Sequence, residues 1–242
     1  MSTSTIELTD RSAFTAGMKR ALDFDPSRAV ALTIDLQREY LDEGVGQAVL
    51  RPEQAEPLVA ANATLLARCR AAGISVVHAY VVRRTLETDR GFHTGGLAYM
   101  RAAHEHGLSQ LPHRPPRTRP DRVAGSPEAE LPAAIVGAGD VHITEKKSLD
   151  SFMATSLEFL LGRILGAHFL LIGGINTDTC VYATTFTAAN LGYAPIVVSD
   201  CVASMRGDDN HRMALELMSR SIAWVLSLDE TLALLAGDPS ST

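Results

Sequence analysis

The chain has 242 residues, of which 46% are apolar and 21% charged, enough for a sizeable core in one large α/β unit or two small ones. A formal net charge of −6 argues against a nucleic-acid or membrane-surface partner. Three cysteines, Cys69, Cys180 and Cys201, make neither an even framework nor a CxxC pair, which fits a reducing compartment better than a disulfide scaffold.

The opening stretch, MSTSTIELTDRSAF, is polar and has neither the basic nor the apolar region of a secretion signal. The longest apolar run, around His168–Ile175, is under half of transmembrane length, so a soluble cytoplasmic protein is expected. Ala29–Leu36 reads as a buried strand after the Asp25-Pro26-Ser27 turn. Pro57–Ala72 has apolar residues at helical spacing and stops at Gly73; Ile74–Val82 is a second strand. Arg83–Leu131 offers no long periodic segment and carries His93, Gly95-Gly96 and the run PHRPPRTRPDR. Such a connection reads as a lid, a binding loop, an oligomer contact or a plain surface excursion.

Regularity returns with a strand over Val141–Lys146 and a helix over Thr155–Leu165 that ends at Gly166. A strand at His168–Gly173, a helix at Asp178–Leu191 closed by Gly192, and a strand at Ala194–Ser199 follow. The chain ends with a helix at Asp209–Arg220, a short strand at Ala223–Leu226 and a helix at Leu228–Leu235. This alternation implies a Rossmann-like three-layer α/β/α fold with a mostly parallel sheet, a single domain over 1–242 with an inserted loop region at 83–131.

In such a sheet the active site lies beyond the carboxyl ends of the strands. Asp35 lies inside an apolar run, where an acid is costly unless paired; Lys146 closes its strand. Cys180 falls in the first turn of a helix, where the helix N-terminus favours a thiolate. Together they can act as base, charge stabiliser and nucleophile. Taken singly, each has a plain alternative: a packed core cysteine, a structural strand-end acid, a solvated lysine beside Lys147.

Three segments carry a resemblance. LTIDLQREYLDE is similar to the opening strand and acid of the isochorismatase-like cysteine hydrolases. ITEKKSLDSFMATSLEFLL resembles their lysine segment, with Phe152 six residues after Lys146 and a Thr-x-Leu soon after. LLIGGINTDTCVYATTFTAANLGYAPIVVSDCVAS resembles their cysteine segment, and all three stand in the family's order. The likeness runs from about Val30 to the C-terminal helix and leaves Arg83–Leu131 unmatched. It points to the branch with N-carbamoylsarcosine amidohydrolase and biuret hydrolase.

The resemblance implies an Asp35, Lys146 and Cys180 triad, the Phe152 spacing selecting Lys146 over Lys147. It also implies a cis peptide at Ile175–Asn176, with the amides of Asn176 and Cys180 aimed at an oxyanion. In that scheme Lys146 depresses the thiol pKa and Asp35 shuttles the proton. Isochorismatases that cleave a vinyl ether lack the cysteine, so Cys180 favours C–N hydrolysis of a small amide, carbamoyl or ureido compound with release of ammonia.

Neither metal nor cofactor is expected. The nicotinamidase Asp-x-His motif would precede the lysine segment, whereas Asp140-Val141-His142 leads into a strand and Asp209-Asn210-His211 starts a helix with Asp209 as cap. His104-Glu105-His106 has the wrong spacing for a zincin, and GxGxxG, P-loop and GxSxG motifs are missing. Cys69 and Cys201 read as packing residues. For the substrate, Arg220 stands where biuret-hydrolase-like relatives carry a glutamine, and it suits a carboxylate, with Arg206 as competitor. Gln37, two residues past Asp35 on one strand face, is expected to donate to a substrate carbonyl. The alternatives are a nicotinamidase- or isochorismatase-type hydrolase, or a redox or binding member using the same cysteine. A homo-oligomer, tetramer or dimer, is expected from the resemblance.

Overall fold

Runs that are apolar on both faces can be buried only between two helical layers. A computed structural model describes residues 8–90, 98–108, 111, 119–120 and 122–237, and of position 104 the backbone alone. His93, Gly95-Gly96 and most of PHRPPRTRPDR lie outside the described residues. The strands are β1 (Ala29–Ile34), β2 (Ser75–Ala79), β3 (Val141–Ile143), β4 (Phe169–Ile175), β5 (Ala194–Ala203) and β6 (Trp224–Leu226). They form one all-parallel sheet in the order β3-β2-β1-β4-β5-β6. Every residue of β1 and β4, the central pair, is buried, while the three-residue edge strands are partly exposed.

The helices are α1 (Ser12–Arg20), α2 (Arg38–Leu41), α3 (Pro52–Ala71), α4 (Thr85–Asp89), α5 (Ala98–Glu105), α6 (Leu157–Phe159), α7 (Tyr182–Asn190), α8 (Asp208–Ser221) and α9 (Leu228–Leu235). One core lies between the sheet and α3, with Leu58, Leu65, Leu66 and Cys69 against Ala31, Leu171 and Ile196. The other lies on the opposite face, where Leu157, Leu161, Val181, Ala188 and Met218 meet Leu32, Ile34 and Ile172. Each fully buried leucine contributes roughly 1.5–3 kcal/mol relative to exposure. This is the expected three-layer arrangement.

The chain builds outward from β1 to β3, then returns to β4 and builds the other way. The reversal opens a crevice between the carboxyl ends of β1 and β4, the place where such sheets bind ligands. Two glycines let the backbone close up there. A Cβ on Gly174, at φ 138°, would meet Ile34 O at 2.3 Å, and one on Gly173 would meet Asn62 Oδ1 at 2.3 Å.

Several boundaries differ from expectation, each for a local reason. α3 starts at Pro52, not Pro57: two prolines compete for the first helical position, and burial of Ala55 and Leu58 favours the earlier one. β5 runs on through the polar Ser199 and Asp200 to Ala203, because a register shift between Ile172 and Gly174 restores pairing of Val202 and Ala203. β3 stops at Ile143, and Lys146 lies just beyond the Val81–Glu145 bridge. The expected helix at Thr155–Leu165 is α6 followed by a π turn at Leu160–Ile164. α8 starts at Asp208 behind Gly207, so Asp209 is a first-turn residue, not the cap. α1 has no counterpart among the expected elements, and none of its residues is buried.

Candidate active site

Three segments deliver side chains to the crevice. Asp35 follows β1 with a left-handed backbone, φ 53°, and its N–H donates to Ala79 O at 3.0 Å. That turn ends the β1 ladder and buries the carboxylate. Its Oδ2 accepts from Lys146 Nζ at 2.6 Å, and the same Nζ lies 3.5 Å from Cys180 Sγ. Lys146 is 1% exposed, whereas Lys147 turns away to Val82 O and to Glu87 Oε2 at 2.9 Å. Successive residues of an extended segment face opposite ways, so only one lysine of the pair can enter the crevice.

The electrostatics depart from what the resemblance implies. Burial pushes the Cys180 thiol up; Lys146 pulls it down and Asp35 pushes it up again, leaving it at about 11. Burial and Asp35 together thus outweigh the lowering by Lys146. Burial would lower the Lys146 ammonium, but the charges of Asp35 and Cys180 outweigh it and raise its pKa. Asp35 Oδ1 is buried and stands as an acceptor beside the Cys180 thiol.

Cys180 sits in a π turn, Thr177–Val181, between β4 and α7 rather than in a regular first turn. Such turns concentrate at functional sites. The Ile175–Asn176 peptide bond before it is cis. Groups from the β5–α8 connection and the start of α8 hold the turn. Met205 N–H donates to Asn176 Oδ1 at 2.9 Å, and Ser204 Oγ donates to Asp178 Oδ1 at 2.7 Å. His211 Nδ1 lies 2.9 Å from Thr177 Oγ1. Behind it, Thr184 Oγ1 accepts from Ser151 N–H at 3.0 Å, and Thr187 Oγ1 donates to Asp150 Oδ2 at 2.7 Å. These bonds fasten the lysine segment to α7. Phe152 stacks on Tyr193 at 5.9 Å, which gives its spacing a packing reason.

The substrate candidates fare differently. Gln37 is corrected: it is fully buried and its amide donates to Val81 O at 2.9 Å and Ala129 O at 3.0 Å, so no N–H remains for a substrate carbonyl. The strand-face argument fails because β1 ends before Asp35. Arg220 is corrected as well. α8 leads from the carboxyl end of β5 back to the start of β6, so its last turn lies at the opposite sheet edge, about 18 Å of helix from its first. There Arg220 pairs with Glu216 and donates to Thr9 O. Arg206 does reach the turn that carries Cys180, with Nη1 3.3 Å from Asp178 Oδ2 and 3.1 Å from Thr179 Oγ1.

The sequence reading missed Tyr40 and Arg122. Arg122, buried and with φ 55°, donates from Nη1 to Tyr40 OH, and its guanidinium lies 5.0 Å from the centre of the Tyr40 ring. Tyr40 is in turn among the groups acting on Lys146. Arg122 belongs to a Pro/Arg run without periodicity, so nothing local marked it. Asp178 and Ser204 were within the cysteine segment, but only the fold makes them partners.

Among the described residues no group of three or more His, Cys, Asp or Glu side chains is placed to hold a metal, and no helix is long and apolar enough to cross a membrane. Asp140 accepts from Arg70 Nε at 3.0 Å and lies 3.0 Å from His78 Nε2, while His142 Nδ1 lies 3.0 Å from Tyr80 OH.

The family model described as Isochorismatase domain matches residues 29–230. The chain is 24% identical over 215 residues to the ureidoacrylate amidohydrolase RutB of Pantoea ananatis, covering 88% of this chain and 84% of that one. It is 28% identical over 100 residues to the maleamate amidohydrolase of Pseudomonas putida, covering 41% of this chain and 46% of that one. A crystal structure of a cysteine hydrolase from Pseudomonas syringae pv. phaseolicola superposes with a TM-score of 0.71 at 19% identity, over 90% of this chain and 96% of the other. At that identity the likeness is one of fold.

Proposed function

Since the chain belongs to the isochorismatase family of hydrolases, we propose that it cleaves the C–N bond of a small amide, carbamoyl or ureido compound, with Cys180 as nucleophile. One observation carries the reading: a single buried lysine lies 2.6 Å from Asp35 and 3.5 Å from Cys180 at the sheet's switch point. The names of two relatives give the same chemistry, since ureidoacrylate and maleamate each join such a C–N bond to a carboxylate.

The resting site holds a carboxylate, an ammonium and a thiol. As Sγ attacks the carbonyl carbon, Asp35 takes the thiol proton, and Lys146 balances the charge. The amides of Asn176 and Cys180 receive the oxyanion, each such donor being worth roughly 2.7–4 kcal/mol. Collapse breaks the C–N bond, and protonated Asp35 hands its proton to the departing ammonia or amine. Asp35 then deprotonates a water that attacks the thioester, which releases the acid and restores the thiol.

A peroxidatic use of Cys180 with Cys201 as resolving partner finds no support in the packing. Cys201 lies in the core on the α3 side of the sheet, while Cys180 packs against the core on the other side. The test is ammonia release across a panel of small amides and ureides. We expect Cys180→Ser to keep the fold and lose at least nine-tenths of the activity, with Cys69→Ser and Cys201→Ser close to wild type. A Cys180→Ser enzyme that retains more than a tenth of the rate would refute the assignment.

A further inference from the structure

We infer that Arg206 is a positioning residue: by bridging Asp178 and Thr179 it fixes the turn that carries Cys180 and so holds the sulfur beside Lys146. The inference rests on the reading of Cys180 as nucleophile and deepens it.

The need arises in the turn itself. Cys180 hangs from the π turn Thr177–Val181, in which Thr179 N–H and Val181 N–H both donate to Asn176 O at 3.1 Å. A π turn is a rare departure from the α form, and an unusual backbone persists where its surroundings over-determine it. One stretch, 204–211, supplies those surroundings, since each of the four residues before Cys180 bonds to it. Asn176 Oδ1 accepts from Met205 N–H at 2.9 Å, and Thr177 Oγ1 lies 2.9 Å from His211 Nδ1. Asp178 and Thr179 meet Ser204 and Arg206.

Met205, Ser204 and His211 each bond one of the four residues; Arg206 bonds two. Its Nη1 donates to Asp178 Oδ2 at 3.3 Å and to Thr179 Oγ1 at 3.1 Å, immediately before the nucleophile. Its backbone N–H donates to Ser204 Oγ at 3.1 Å, and that hydroxyl donates to Asp178 Oδ1 at 2.7 Å. Both oxygens of one carboxylate are thus held from one loop, in a ring that closes through Arg206. With only 15% and 14% of the two side chains exposed, the ion pair is screened little by solvent. Asn210 Nδ2 donates to Arg206 O at 3.2 Å, which ties the loop to the first turn of α8.

The contact most exposed to a shift of the turn is the 3.5 Å between Lys146 Nζ and Sγ. Asp35 fixes Lys146 from another segment, at 2.6 Å, so a loosened turn moves the sulfur and leaves the ammonium in place. A misplacement of about 1 Å can cost on the order of a hundredfold in rate.

The experiment has one arm without turnover and one with it. Iodoacetamide labelling of Cys180 across pH is compared in wild type, Lys146→Met, Arg206→Ala and the double variant, each checked for fold by circular dichroism. Lys146→Met should move the wild-type profile to higher pH. In the Arg206→Ala background the same substitution should move it at most about half as far, because the two changes act on one contact. Equal movement in both backgrounds would show that the sulfur keeps its place without Arg206 and would overturn the inference, whatever the fate of the hydrolase reading. In turnover of the fastest amide or ureide, Arg206→Ala should lower kcat roughly ten- to a hundredfold and change KM less than about threefold. Adding Asp178→Asn, which neutralises the carboxylate left unpaired, should make that variant no slower. Arg206→Lys, which keeps the charge but reaches one partner in place of two, should recover part of the lost kcat. A KM raised tens-fold at unchanged kcat would make Arg206 a substrate contact and overturn the inference. If Arg206→Ala does not fold, Arg206→Gln carries both arms with the same criteria.

Discussion

A cysteine nucleophile is usually described as a pre-formed thiolate, and here the surroundings act the other way. Burial and the Asp35 carboxylate push the Cys180 thiol up to about 11, against the pull of Lys146. In the proposed mechanism, attack is therefore coupled to proton transfer, with Asp35 Oδ1 as the proposed acceptor. The signs are testable one residue at a time. Iodoacetamide labelling of Cys180 should be slow at pH 7 and accelerate toward pH 11. Lys146→Met removes the group that lowers the pKa and should move the labelling profile to higher pH. Asp35→Asn removes a group that raises it and should move the profile lower. The label reports Cys180, since Cys69 and Cys201 are fully buried, with burial pushing the Cys69 thiol up to about 12 and Cys201 higher still. A labelling pKa near 7 in wild type would show that the site stabilises the thiolate. That Asp35, Lys146 and Cys180 come together was legible in the sequence through three segments that resemble one family's in the same order. The proton's resting place was not, because it depends on burial that no spacing encodes.

At the level of elements, most strands and helices were legible and most boundaries were not. β1 and β4 stood out as apolar runs because both faces are buried. The continuation of β5 through Ser199 and Asp200 was invisible, since it depends on a bulge in its neighbour. α3 is fixed to the sheet by a polar network as well as by leucines. Arg70 on α3 donates to Asp140, just before β3, and Asp140 also meets His78 on β2, which pairs with Thr33 Oγ1 at 2.6 Å. Burial would raise the Asp140 carboxyl, but the bonds from Arg70, His78 and Gly137 hold it at about 2. A depressed carboxyl contributes stability that is complete above its unfolded pKa, about 4, and fades as pH falls through 2. Asp140→Asn should therefore cost about 2 kcal/mol at pH 7 by urea unfolding, with the difference shrinking as pH falls from 4 toward 2. A difference independent of pH would assign the loss to packing.

Over the whole molecule, the strand order decides what the sequence can do, since it gathers residues 35, 146 and 180 at one edge and sends Arg220 to the other. The order could be anticipated as mostly parallel, but a helix position such as Arg220 was assigned by likeness to a motif, without the direction of the helix that carries it. Phe159, Ile164, Phe186, Met213 and Leu217 project outward from the layer of α6, α7 and α8, each more than two-fifths exposed. We propose that they contribute to an association surface whose occupant is a second copy of the chain. Light scattering at micromolar concentration should give a dimer or tetramer, and a mass of 25.9 kDa would refute it. The central claim, that hydrolysis passes through a thioester on Cys180, is tested most directly by acid-quenching the enzyme during turnover and weighing its peptides. The account predicts an acyl mass increment on the Cys180 peptide that appears with substrate, disappears on its exhaustion and never forms in Cys180→Ser. Full ammonia release with the Cys180 peptide unmodified at every quench time, and undiminished in Cys180→Ser, would contradict it.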